Sequence, residues 1–488
     1  MKTTFTLLGL AACPAAMAFT TYSITDLGDL PGGPDSSYAF SINDNGVVTG
    51  TGTTAQGAQA FRWDSINGMV ALPLLAGRTQ SLAGKIDSAG NIAGVAFTLD
   101  SITDGRPLAW TPGNQIIDPG LPVGWTWAIN NGINEHGVMA GWGESGSGRK
   151  AFTWSQATGF VITQPLAGDA ECGFSDINNN GVTSGWSGNN SLIWQNGVPT
   201  VLTLPPNGVD SYPNGLSEEN RAYGYVALNN GNFAAGVWNA QGKFSPVDQF
   251  PGYPSMDCSG VSDNGGLVVC EPYDTTWERV VLWSPIDGDT DMDTLIDSST
   301  PGWNLMYGGQ PNKRGQIVGN GTINGVSHAF LATPVVTPNN TTINFGQLSE
   351  GGLKSLEKPD GDAFRVSKFF VPNLSVAPIT VVVEATCPVS TLSSYFLRVK
   401  SKMTKAGFFG QTLDLFDWST NSYSAVDTRS DALGLGNLTV ELHATGSLNR
   451  YLGPDRTLRA RYRIRPTGTI ASQIWGADTD CIEFVARP

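Results

Sequence analysis

Between Tyr38 and Trp63 apolar and polar positions alternate with a period of two, and turns interrupt the alternation. Ala39-Phe40-Ser41-Ile42 runs into Asn43-Asp44-Asn45-Gly46, Val47-Val48-Thr49-Gly50 runs out of it, and Ala60-Phe61-Arg62-Trp63 follows a glycine-rich gap. A period of two argues for half-buried strands. The Asn-to-Gly turn supplies the positive φ that a tight hairpin needs. A weaker fourth run, Met69-Val70-Ala71-Leu72, completes the unit.

This order recurs seven times. The turn returns as Asp87 to Gly90, Asn134 to Gly137 and Asn178 to Gly181, then in degenerate form at Ser217 to Asn220, Ser262 to Gly265 and Asn312 to Gly315. The aromatic that closes the third strand falls at Trp63, Trp110, Trp154, Trp194, Trp238, Trp283 and Phe330, with spacings of 47, 44, 40, 44, 45 and 47 residues. That period matches a four-stranded propeller blade and exceeds a leucine-rich, ankyrin or tetratricopeptide unit. The expected fold is therefore all-β, a seven-bladed β-propeller over residues 19–333. Tyr22 to Leu27 reads as a strand without a unit of its own, and pairing it with the last repeat would close the ring and remove its edges.

Past a joint rich in Pro and Asn, residues 334–341, the repeat stops. About eight alternating strands separated by Gly, Pro and Asn turns then predict a C-terminal β-sandwich over residues 342–488.

His328-Ala329-Phe330 and the Ala-x-x-Ile-Asn-x-x-Gly-x-Val-x-Gly pattern of residues 39–50 resemble the bacterial extracellular HAF repeats over about residues 22–332. The resemblance implies a propeller and an exported protein, and it implies no catalytic residues. Leu413 to Trp418 with Val426 to Arg429 resembles, more loosely, a C-terminal sandwich module of exported proteins, which implies attachment or display.

Lys2 followed by an apolar run and Ala16-Met17-Ala18 reads as a signal peptide over residues 1–18. The competing address is a lipobox-like Leu10-Ala11-Ala12-Cys13, which would anchor the chain through Cys13. No apolar run approaches the ~20 residues of a transmembrane span. Residues 338–488 hold 16 Lys+Arg and 14 Asp+Glu, leaving 11 and 28 in residues 19–337, a net of −17 there. A phosphate backbone would be repelled, so nucleic acid is excluded as a partner. In an exported chain the cysteines can oxidise. Cys258 and Cys270 flank one turn and form one candidate disulfide, Cys387 and Cys481 a second, and Cys172 is left over; five buried thiols is the alternative.

Three constellations are candidates for binding. Asp289, Asp291, Asp293 and Asp297 have the early spacing of a calcium loop, although Thr294 and Thr300 stand where Gly and a bidentate acid belong; a solvated acidic loop fits equally. Trp142, Trp186 and Tyr225 follow the second-strand Gly in successive units and would form either a shelf for sugar rings or inter-blade packing. Arg459, Arg461, Arg463 and Arg465 share one face of a strand, which suits an anion or a solvated surface. His136, His328 and His443 sit near no nucleophile motif, and no catalytic signature is present. The expectation is an exported, non-enzymatic binding or surface protein that engages a glycan or another extracellular ligand. The alternatives are a structural matrix component and a propeller glycosidase or lyase using paired carboxylates.

Overall fold

The computed structural model describes residues 21–335, apart from 99–100, 263–264, 275–278, 286–287 and 298–300, and beyond them 338, 340–345, 347–351, 353–356, 364–367, 377–387, 394–404, 409–431, 437–443, 448–466 and 476–487. The signal expected at 1–18, including Cys13, lies outside them. The protein is all-β. Residues 22–334 form seven four-stranded antiparallel sheets. The first runs Ser37–Ile42, Val48–Thr54, Gly57–Asp64 and Gly68–Ala71, each strand paired with the next along the chain. The seventh takes one edge from the N-terminus: Tyr22–Asp26 pairs with Val326–Pro334, Tyr22 opposite Pro334 and Asp26 opposite Phe330. Among the described residues no helix is long and apolar enough to cross a membrane.

Apolar cores lie between neighbouring sheets. Leu72 and Ala60 of the first sheet pack with Ile86 and Trp110 of the second, while Ile42 and Trp63 of the first pack with Val318 and Leu331 of the seventh. The recurring aromatics belong to these cores: Trp110 and Trp238 are fully buried, and their indole N–H groups donate to the carbonyls of Pro73 and Thr203 at 2.9 Å each. A unit that buries its faces only against its neighbours explains why the aromatic must recur.

The turn asparagines tie the sheets together at one end. Asn43 Oδ1 accepts from the N–H groups of Asn45 and Val47 in its own turn, while its Nδ2 donates to Asp87 O of the next sheet at 3.0 Å. Asn134 reaches Asn178 O, Asn178 reaches Ser217 O, and Asn312 of the seventh sheet reaches Asn43 O of the first, each at 3.0 Å. An amide side chain can accept within its own turn through its oxygen and donate outward through its nitrogen at once, which a carboxylate cannot. Asp87 lacks that donor, and its oxygens are taken by Asn91.

The first strands carry a recurring register break. It falls at Phe40, Gly84-Lys85, Asn131, Ser175, Asn214 and Ser259, and at Met306 in the seventh sheet. A bulge leaves its extra residue unpaired and re-aims it. The glycine of the second strand answers a close backbone approach: a Cβ would stand 1.9 Å from Tyr38 O at Gly50 and 2.0 Å from Ile129 O at Gly141. In the sixth sheet that position is Cys270, opposite Cys258.

Strand Val326–Pro334 takes in Pro334 and the next strand already begins at Asn340, so the joint is shorter than the 334–341 expected. Two five-stranded sheets follow. Asn340–Phe345, Ile379–Thr386, Thr457–Pro466, Phe409–Asp417 and Ser422–Asp431 lie side by side in that order, as do Gln347–Glu350, Phe364–Ser367, Gly476–Arg487, Ser394–Met403 and Asn437–His443. One core takes Ile379, Leu413 and Tyr462 from the first and Phe364, Leu397 and Phe484 from the second.

Candidate functional site

The first strands of the seven sheets converge, and the re-aimed residues open a cavity of about 660 Å³ between them. Six sheets line it. Tyr38 and Phe40 come from the first, Gly84 and Lys85 from the second, Asn131 from the third, Asn214 and Tyr223 from the fifth, Asp257, Ser259 and Glu271 from the sixth, and Tyr307, Gln310 and Asn320 from the seventh. Phe40, Lys85, Asn131, Asn214, Ser259 and Met306 are the bulged residues themselves.

One end of the cavity is plugged by a polar knot. Lys85 Nζ bonds to Asp176 Oδ2 and, at 3.0 Å, to Gln310 Oε1. Asp176 is fully buried and accepts from the N–H groups of Ile177 and Leu216 at 2.8 Å each, so this ion pair is hydrogen-bonded on both sides as burial demands. Tyr223 OH donates to Gln310 Oε1 at 3.4 Å. Lys85 and Gln310 also line a second, polar recess whose walls are the turns carrying Asn43, Asp87, Glu135, Asn179 and Glu218.

Two carboxyl groups face the cavity with no cation paired to them among the described residues. Asp257 and Glu271 stand directly opposite each other on paired strands. Both oxygens of Asp257 accept from Asn214 Nδ2 at 2.9 Å, and Glu271 Oε1 accepts from Ser259 Oγ at 2.6 Å and Gly308 N at 3.0 Å. Burial pushes Asp257 up to about 7. Burial, with the adjoining Asp257, pushes Glu271 up to about 8. Burial likewise raises the phenols of Tyr223 and Tyr307. Near neutral pH the walls therefore present protonated or half-ionised acids, amides and aromatic faces.

The residues singled out by sequence fall elsewhere. Trp142 and Trp186 do meet, edge to face at 6.2 Å, but Trp127 abuts Trp142 at 5.1 Å and the Arg149 guanidinium covers it at 5.2 Å. A Cβ on Gly173 would stand 2.8 Å from Trp186 and 3.0 Å from Trp142, so backbone closes on both rings. Tyr225 belongs to a different group, stacked on Tyr212 at 4.8 Å and edge-on to Phe233 at 5.1 Å. The three do not form one open shelf.

The calcium set does not assemble either. Asp291 pairs with Arg279 and caps the short 3-10 turn Met292–Leu295 through Asp293 N, Asp293 accepts from Leu305 N at 2.9 Å, and Asp297 is buried. Asp289, beside Asp248, is pushed up to about 6 by burial and then by that neighbour. Among the described residues no three acidic, His or Cys groups converge as metal ligands.

Cys258 and Cys270 are buried thiols with sulfurs 3.3 Å apart, in contact and unbonded. Cys387 is buried in the core of the second region, the side chain of its candidate partner Cys481 lies outside those described, and Cys172 is a buried free thiol. The arginine stripe is neither bare nor merely solvated. Arg459 bonds Glu384 at 2.6 Å and lies over Phe416 and Trp418, while Arg461 and Arg463 share Asp414 at 2.9 and 2.6 Å. Two carboxylates thus answer three of the four arginines and offset part of their charge.

Sequence reasoning missed the cavity because its residues are bulged out of the two-residue period. The available signal was positional: in most units the bulged residue lies three places before the turn Asn or its substitute, which is Phe40, Gly84, Asn131, Ser175, Asn214 and Ser259 in six of them.

No family model matches the chain, and no curated protein matches it. Solved structures that share its general form include YCF48 bound to D1 peptide, 11% identical with a TM-score of 0.40 over 65% of this chain and 96% of that one. TolB from Acinetobacter baumannii is 12% identical with a TM-score of 0.34 over 62% of this chain, which spans 65% of TolB's length. Trypanosoma rangeli sialidase in complex with 2,3-difluorosialic acid is 8% identical with a TM-score of 0.32 over 87% and 93%. At these scores the likeness carries no argument about the site.

Proposed function

We propose that this is an exported binding protein in which the seven sheets are the blades of a β-propeller, the two five-stranded sheets form a β-sandwich that displays it, and the central cavity takes a glycan. The observation that supports this reading is the cavity wall. It offers amides of Asn131, Asn214, Gln310 and Asn320, carboxyl groups of Asp257 and Glu271, and rings of Tyr38, Phe40 and Tyr307, around a volume of about 660 Å³. Amides and carboxyls match the hydroxyls of a sugar, rings match its C–H faces, and the volume lies within the range of small-molecule sites.

The test is calorimetric titration of the protein with mono- and disaccharides beside two variants. Tyr38 and Phe40 are 40% and 37% exposed, so Tyr38→Ala/Phe40→Ala removes cavity contacts with little cost to the fold. Saturable binding lost in that variant and retained in Trp142→Ala/Trp186→Ala supports the cavity. Loss only in the tryptophan variant returns the site to the third and fourth sheets, and no binding at all removes the glycan reading in favour of a structural role.

A second reading has its own observation. Residues directly opposite on antiparallel strands hold their Cβ atoms ~4.5–5.5 Å apart, close to the ~5–5.5 Å carboxyl separation of retaining glycosidases. Asp257 and Glu271 are such a pair. Release of reducing ends that stops in Glu271→Gln would make the protein a hydrolase.

A further inference from the structure

We infer that the cavity selects a saccharide bearing a free amine, whose ammonium group sits between Asp257 and Glu271 and the surrounding aromatic faces. This rests on the cavity being a saccharide site and adds the class of sugar.

Three observations carry it. Glu271 is 2% exposed, its Oε1 accepts from Ser259 Oγ and Gly308 N, and it lines the cavity directly opposite Asp257. Two carboxyl groups held opposite each other repel when both ionise, and a cation between them relieves that repulsion. Next, among the described residues no cation already answers the pair. Lys85 on the second sheet is held by Asp176, and the other groups facing the acids are the phenols Tyr38, Tyr223 and Tyr307, with Tyr225 and Tyr273 beyond Asp257 and the thiols Cys258 and Cys270 behind it. Finally, the walls supply what a desolvated ammonium requires besides charge: the rings of Phe40, Tyr223 and Tyr307. The net charge of −17 over residues 19–337 steers a cation toward them and repels an acidic sugar.

The linkage has a definite sign. Without a cation the buried acids hold their protons to near neutral pH; an ammonium between them favours ionisation, so binding expels protons and strengthens as pH rises. A neutral sugar needs no ionisation and shows no such dependence.

The experiment titrates the full chain with 6-amino-6-deoxyglucose, glucose and benzylammonium at about pH 6 and about pH 8, in two buffers of different protonation enthalpy to count expelled protons. The expected result is about tenfold tighter binding of the amino sugar than of glucose at the higher pH, one order of magnitude of selectivity, with proton release. Asp257→Asn/Glu271→Gln abolishes both the preference for the amino sugar over glucose and the proton release. Glu271→Gln alone keeps an oxygen to accept from Ser259 and Gly308, and gives the same readout should the double exchange not fold. Equal binding of the two sugars overturns the inference and leaves the glycan reading intact. Benzylammonium binding with neither sugar keeps the cation site and overturns the glycan reading. Selectivity that survives both variants, or no binding by any probe, overturns the assignment of these two acids.

Discussion

The seven four-stranded sheets and the two five-stranded sheets solve the burial problem in opposite ways. In the first region every sheet except the seventh, which borrows Tyr22–Asp26, is a contiguous stretch of chain, and its apolar residues pack against neighbouring sheets. In the second region neighbours in a sheet come from distant stretches, as where Ile379–Thr386 pairs with Thr457–Pro466, and both sheets feed one core. The first arrangement divides the core into parts that each tolerate a degenerate unit. The second stakes everything on one core but leaves its strand faces free to carry ion-paired ladders such as Arg461–Asp414–Arg463.

Closure is where this contrast breaks most easily. Deleting residues 19–30 removes Tyr22, Ile24, Leu27 and Leu30 from cores of the seventh and first sheets. At ~1.5–3 kcal/mol per buried side chain the loss is on the order of 8 kcal/mol. Denaturant unfolding should show the first region's transition collapse while that of the second stays put; a shift in both would mean that the two share a core.

Trp110→Ala is expected to cost about 3–5 kcal/mol. Its effect should be confined to the first two sheets in hydrogen exchange, since its core draws on Ala60, Ile86 and Ile92. Tyr462→Ala costs a similar amount but should deprotect both sheets of the second region. A uniform loss of protection across all seven sheets after Trp110→Ala would argue against divided cores.

The pH dependence separates the regions more gently. Asp257 and Glu271 hold pKa values raised to about 7 and about 8 by burial, above their unfolded values of 3.8 and 4.5. The folded state therefore binds their protons more tightly, so their contribution is complete below pH 4 and is lost as pH rises to about 8. Melting temperature of the first region should fall over that interval, and Asp257→Asn/Glu271→Gln should flatten the fall; an unchanged slope would contradict the pairing of these acids in a dry cavity.

The smallest effects test the ring of turns. Asn312→Ala removes the link from the seventh sheet to the first and should cost about 1–2 kcal/mol, whereas Asp87→Asn supplies a donor toward Asn134 and should add about 0.5–1 kcal/mol. Measured by urea midpoints, a stabilising Asn312→Ala would dismiss the interlocking role of these amides.

The repeat length, the turn positions, the recurring aromatics and the pairing of Tyr22–Asp26 with the last unit were all legible in the residues. Each is a local pattern, or a local pattern that must find a partner, and the period of two and the turn chemistry operate within a few residues. The strands Gln347–Glu350 and Ser422–Asp431 escaped notice because a solvent-facing edge strand has little apolar alternation. Residues such as Trp142 and Trp186, conspicuous in the sequence, turned out to be engaged by Trp127, Arg149 and the Gly173 backbone. What the amino-acid sequence determined by itself is the repeated unit and its number. Which polar groups share a cavity was decided only by the tertiary structure, because Lys85, Asp176, Asp257, Glu271 and Gln310 stand far apart along the chain and meet where bulged first strands from different sheets converge. Burial, the quantity that raises Asp257 and Glu271, belongs to that convergence and to no one unit.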